Sequence, residues 1–109
     1  MKKTDSFAES TEKLASLSKA IGHPARIQIL LFLMESGPST CQDIVDKLPY
    51  SQSTVSGHLQ KLKEDGYINL KYQKTSSIYT IQKDTLFELN KLVQTVFKLL
   101  PDKPQLSLF

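Results

Sequence analysis

The chain has 109 residues, 39% apolar and 23% charged, the composition and size of one ordinary globular domain. Its net charge of +3 and pI near 9.0 permit an anionic partner without proving one. The single Cys41 excludes an intrachain disulfide, and no apolar run approaches the roughly 18 residues of a membrane span.

The start, "MKKTDSFAES", has lysines but no apolar signal-peptide stretch, so the expected compartment is the cytoplasm. Phe7, Leu14, Leu17 and Ile21 recur at near-helical spacing and predict an amphipathic helix to about Ala20. In "GHPARIQILLFLMESG", Pro24 suits a first helical position and Gly37 a residue just past the end. Ile27, Leu30, Leu31 and Met34 form a stripe, and Ile29, Phe32 and Leu33 fill other faces. A helix so apolar all round is expected in the middle of the domain. His23 is expected to cap this helix or pack at its start. Arg26 is expected to hold a phosphate or an acid on another element.

"GPSTCQDIVDKLPYS" reads as a shorter helix. Ser39 with Gln42 is a capping-box signature, and Cys41, Ile44, Val45 and Leu48 repeat a core spacing. Pro49 stops the helix, and Tyr50-Ser51 form a tight connector. The stretch "SQSTVSGHLQKLKEDGYI" then opens a further helix. Ser51 is its N-cap, Tyr50 and Val55 are its staple, and Gly66 is its stop. "YINLKYQ" and "SIYTIQ" alternate as strands, with Lys74, Thr75 and Ser76 at the hairpin tip. The last helix is expected over about 84–100, ended by Pro101. The fold class is therefore mainly α with a small β-hairpin, a winged helix-turn-helix of order α-α-α-α-β-β-α. It is one domain over 1–109, with loosely held ends at about 1–6 and 101–109.

The helix beginning at Ser51 carries the chemistry. On a helical wheel Val55, Leu59 and Leu62 face one way. Ser53, Gly57, Gln60, Lys61 and Glu64 face the other, with Gln52, Ser56 and His58 on the flanks. The N-terminal outer face is small and polar, suited to base edges and phosphates in a major groove. Gly57 costs about 1 kcal/mol against Ala in an exposed helix, and close approach to DNA would explain its presence. Lys61 adds a point charge. At the hairpin, Lys71, Gln73, Lys74 and Thr75 can reach along a phosphate backbone. Thr40, at the start of the third helix, completes the candidate DNA contacts.

In the last helix Leu86, Leu89, Val93, Val96 and Leu100 step like a coiled-coil seam. Over about 25 Å it offers more apolar surface than one chain covers. A two-fold dimer is the simplest cover, with Leu14 and Leu17 of the first helix joining the interface. Such a dimer would set its two recognition helices about 34 Å apart.

The stretches "LSKAIGHPARIQILLFL", "CQDIVDKL", "SQSTVSGHLQKLKEDGYI" and "KTSSIYTI" together resemble the ArsR/SmtB family of bacterial winged-helix transcriptional repressors. The resemblance covers about residues 12–98. It implies a homodimer held by the first and last helices, double-stranded DNA with an imperfect palindrome as partner, and repression relieved by an effector. It places DNA-reading positions at Gln52, Ser53, Thr54, Ser56 and His58. Position 57 often carries a larger polar residue in relatives, and many have a glycine at the wing turn that is absent here. Cysteine-pair metal sites of the family fall on Thr40 and Gln42, while Cys41 takes the intervening apolar position. The alternative site on the last helix keeps Asp84 and Glu88 without a histidine. Neither makes a good transition-metal site, so no metal and no cofactor is expected. The effector, if one exists, has no signature. No nucleophile–base pair, phosphate loop or metal triad points to an enzyme. The competing reading is a winged-helix module for protein–protein contact. It is disfavoured because the outer helix face lacks large apolar anchors.

Overall fold

The structure, a computed structural model, describes residues 5–100, and the side chains of residues 8–100. The order is α1 Asp5–Ala20, α2 Pro24–Ser36, α3 Cys41–Lys47, α4 Gln52–Glu64, β1 Ile68–Gln73, β2 Ser76–Ile81 and α5 Lys83–Val96. Of the ends expected to be loose, 1–4 and 101–109 lie outside the described residues, and α1 is already helical at Asp5.

Local chemistry sets most boundaries. His23 caps α2, its Nδ1 accepting from the Ala25 N–H at 3.1 Å, and Pro24 occupies the first turn. Gly37 ends α2 with φ 78°, a left-handed conformation that glycine adopts without a Cβ clash. The capping box of α3 sits one residue later than Ser39. Thr40 accepts from the Asp43 N–H, and the Asp43 carboxylate accepts from the Thr40 N–H. Ser39 is unavailable because its backbone bridges to Tyr79 in both directions, at 3.1 and 2.8 Å. Its hydroxyl donates to the Gly37 carbonyl. Ser51 caps α4 by accepting from the Thr54 N–H, and Gly66 follows its end with φ 84°.

The core gathers Ile29, Leu30 and Leu33 of α2, Ile44 of α3, and Val55, Leu59 and Leu62 of α4, closed by Tyr67 and Ile68. α2 is not buried all round. Ile27, Leu31 and Met34 are 44%, 56% and 52% exposed, so only Leu30 of the expected stripe faces inward. The reason is thickness. The molecule measures 51 × 46 × 21 Å, and a slab about two helix diameters deep covers one face of each helix. α2 spends its covered face on α4 and β2.

β1 and β2 pair antiparallel from Ile68 opposite Ile81 to Gln73 opposite Ser76. The turn is therefore Lys74-Thr75, and Ser76 belongs to β2. Lys74 has φ 58°, where a glycine would sit without strain. Tyr72 points into solvent, because the strand runs past the core.

Tyr67 ties the wing base to α1, its buried hydroxyl donating to the Leu17 carbonyl at 2.8 Å. Tyr67→Phe is expected to lose about 1–2 kcal/mol of stability. Burial first, then the Asp65 and Glu88 charges, push the phenol from 10.0 up to about 12. A raised acid stabilises the fold fully below its unfolded value, and that contribution is lost as pH climbs from 10.0 toward about 12. Melting curves of both proteins across that window check this: the alkaline slope should be shallower in the variant.

α5 packs along α1, with Lys13 and Glu88 paired between them. It ends at Val96, four residues before the expected limit, and Phe97 caps it. Leu100 therefore lies beyond the helix and off any helical seam. Leu14 is buried, and Leu17 packs against the chain's own core. Leu86, Leu89 and Val96 are half-buried, while Val93 and Phe97 are 42% and 57% exposed. The free apolar face of α5 is thus narrower than five seam positions, because α1 takes one side of it.

Candidate nucleic-acid interface

α3 and α4 pack against each other across the connector at 48–51. Val55, Leu59 and Leu62 are completely buried and clamp α4 to the core. The opposite face is bare. Gln52, Ser53, Thr54, Ser56, Gly57 and Lys61 are exposed, and a Cβ built on Gly57 meets nothing within 4 Å. The Thr54 hydroxyl accepts from Ser51, which keeps the first turn rigid. Thr40 is half-buried with its hydroxyl committed to the α3 cap. Further along α4, Gln60 donates to Glu64, and Lys61 lies 3.5 Å from Asp65. Lys71, Gln73, Lys74 and Thr75 are all exposed on the wing.

His58 departs from this surface. It is half-buried on the flank toward α2, where its Nδ1 accepts from Arg26 Nε at 3.1 Å. Its ring sits 4.5 Å from that of His23, tilted by 54°. Burial, then the His23 and Arg26 charges, hold its pKa below the usual 6.5. Among the described residues Arg26 pairs with no acid. Its second bond goes to the Ala20 carbonyl at 3.0 Å. No sequence spacing signals this cluster, since Arg26 and His58 are 32 positions apart. Cys41 is half-buried, and burial raises its thiol pKa, which keeps it protonated and weakly nucleophilic. Among the described residues no three His, Cys, Asp or Glu side chains gather as a metal site. No described helix is long and apolar enough to cross a membrane.

The family model "Bacterial regulatory protein, arsR family" matches residues 23–69, from the α2 cap into β1. The HTH-type transcriptional regulator MJ1325 of Methanocaldococcus jannaschii is 39% identical over 85 residues, spanning 78% of this chain and 96% of its own. The chain belongs to the ArsR family. ArsR-family proteins are DNA-binding winged helix-turn-helix transcriptional regulators, not enzymes. The transcriptional activator HlyU of Vibrio cholerae is 27% identical over 89 residues, 82% of each chain. The structure of reduced HlyU aligns with a TM-score of 0.68 at 25% identity, covering 83% of this chain and 95% of that one. The homodimeric winged helix-turn-helix domain of Mb0332 from Mycobacterium bovis aligns with a TM-score of 0.65 at 20% identity. That match covers 97% of this chain and 95% of Mb0332 and attests the fold. This ArsR-family chain thus carries its bare polar helix where a helix-turn-helix presents its reading surface.

Proposed function

We propose that this ArsR-family chain is a cytoplasmic homodimeric repressor that reads an imperfect palindrome with α4 and grips its backbone with the β-wing. One observation carries the reading: the outer face of α4 is free of bulk while its inner face is fully anchored. Gln52, Ser53, Thr54 and Ser56 are the base-edge and phosphate partners. Lys61, Lys71, Gln73, Lys74 and Thr75 are the backbone partners, with Thr40 at the edge of the groove. His58 acts at the flank. The exposed Val93 and Phe97 support a two-fold partner along α5. Repression needs only occupancy of a promoter. HlyU is named an activator, so the sign is read by a reporter. Thr40 and Gln42 stand where family members place a cysteine pair, and Glu88 is already paired with Lys13. These features support a regulator that is neither a cysteine-pair nor a last-helix histidine metal sensor.

The test is selection of genomic fragments by the purified protein, followed by titration against salt. A dimer making several phosphate contacts should lose affinity steeply as salt rises. No preference for any selected duplex over random DNA would refute the reading. Gln52→Ala and Lys61→Ala are both expected to weaken binding. The first should relax base preference by about 1–3 kcal/mol at one position, and the second should reduce the salt slope by about 1. Equal losses on every duplex from both variants would count against base reading by Gln52.

A further inference from the structure

Arg26 joins two helices through one side chain. Nη1 donates to the carbonyl of Ala20, the last residue of α1, at 3.0 Å. Nε donates to His58 Nδ1, midway along α4, at 3.1 Å. The guanidinium is planar and its donors are fixed in direction, so the α1 terminus and the recognition helix are held in register. His23 lies against His58 and caps α2 through its own Nδ1. Both rings therefore accept at Nδ1, which a protonated Nδ1 could not do. The same bonds disfavour a metal ion across the pair. Metal at Nε2 would require a proton on each Nδ1, facing the Ala25 and Arg26 N–H groups.

We propose that Arg26 is the positioning residue of the recognition helix and that its hold on His58 is a latch released by a proton, so that mild acid lowers sequence-specific DNA binding. The charges around the latch are one-sided. A 480 Å³ cavity beside it is lined by Lys19 from α1, His23 and Arg26 from α2 and its cap, and Lys61 and Asp65 from α4 and its C-cap. Asp65 is the one acid in this lining; its Oδ2 accepts no hydrogen bond but lies 3.5 Å from Lys61 Nζ, so Lys19 and Arg26 are left without an acid partner there. A proton on His58 Nδ1 turns the acceptor into a donor that faces Arg26 Nε–H. The bond is then lost, and two cations meet with the tilted His23 ring 4.5 Å from that of His58. The depressed His58 pKa sets the sign. Below 6.5 the free imidazole takes up its proton before the latched one does, so acid works against the latched geometry. The latch does not depend on which bases are read, but its effect on binding rests on α4 being the reading helix.

Two measurements test it. In the free protein, NMR follows His58 and the Arg26 Nε–H from about pH 8 to about pH 5. The Arg26 signal should lose protection with the same midpoint as His58, and amides of α4 and the α1 end should move with them. An Arg26 signal indifferent to His58 titration overturns the latch. In the second, the wild-type chain selects a duplex from a random pool at about pH 7.5. Its affinity relative to a scrambled duplex should fall about tenfold by about pH 5.5. His58→Asn offers Arg26 an oxygen near the Nδ1 position and does not titrate. Its affinity ratio should be the same at both pH values. Arg26→Gln should give a low ratio at both. A flat wild-type profile, or an equal fall in His58→Asn, overturns the proposal. Failure to select any duplex removes the DNA reading itself, and the NMR result then judges the latch separately.

Discussion

Gly57→Glu is expected to reduce DNA affinity by about hundredfold or more while leaving the fold intact. The position is exposed, and a Cβ built there meets nothing within 4 Å. The folded protein has no steric reason to resist the change. Replacing an exposed helical glycine should even stabilise α4 by about 0.5–1 kcal/mol. The loss comes from the complex, where a carboxylate on the bare face would confront phosphates and acceptor-rich base edges. Gly57→Ala is the graded control, with a slightly higher melting temperature and a smaller loss of binding. Calorimetry and fluorescence anisotropy on the same samples separate the two effects. Undiminished binding by Gly57→Glu would show that α4 does not face the DNA. A lower melting temperature would show that its outer face is not free.

The combined change Val93→Glu and Phe97→Glu is expected to convert the protein to a folded monomer. Both side chains are substantially exposed in the protomer, at 42% and 57%, so neither supports the chain's own core. In a two-fold interface each carboxylate would appear twice and be buried without a partner, which costs several kcal/mol per group. Sedimentation should report a monomer, and circular dichroism should be unchanged. Affinity for a full palindrome should drop by about hundredfold, because a monomer keeps only one half-site. A variant that stays dimeric would move the interface off this face of α5.

Local chemistry made a large part of the molecule legible. Pro24, Gly37, Ser51, Pro49 and Gly66 mark helix ends because each acts on its own or neighbouring backbone bonds. The inward trio Val55, Leu59 and Leu62 follows from helical geometry alone, and burial at 0% agrees with it. The features that misled were those with two local solutions. Ser39 and Thr40 can each cap α3, and the Ser39–Tyr79 bridge decides between them from across the chain. The face of α2 was ambiguous for the same reason. Ile27, Leu31 and Met34 are as apolar and as periodic as Ile29, Leu30 and Leu33. Arg26 had no readable partner, since the carbonyl of Ala20 and the ring of His58 meet it only in the folded chain.

By itself the sequence determined the run of elements, their caps and the polar outer face of α4. These depend on dihedral preferences and on a period that repeats within a few residues. Only the tertiary structure decided which side of α2 is covered, how much of α5 remains free beside α1, and that Arg26 joins α1 to α4 through His58. Those outcomes depend on which surface lies opposite. In a slab 21 Å thick every helix has one covered side and one open side, and nothing within the helix itself says which is which.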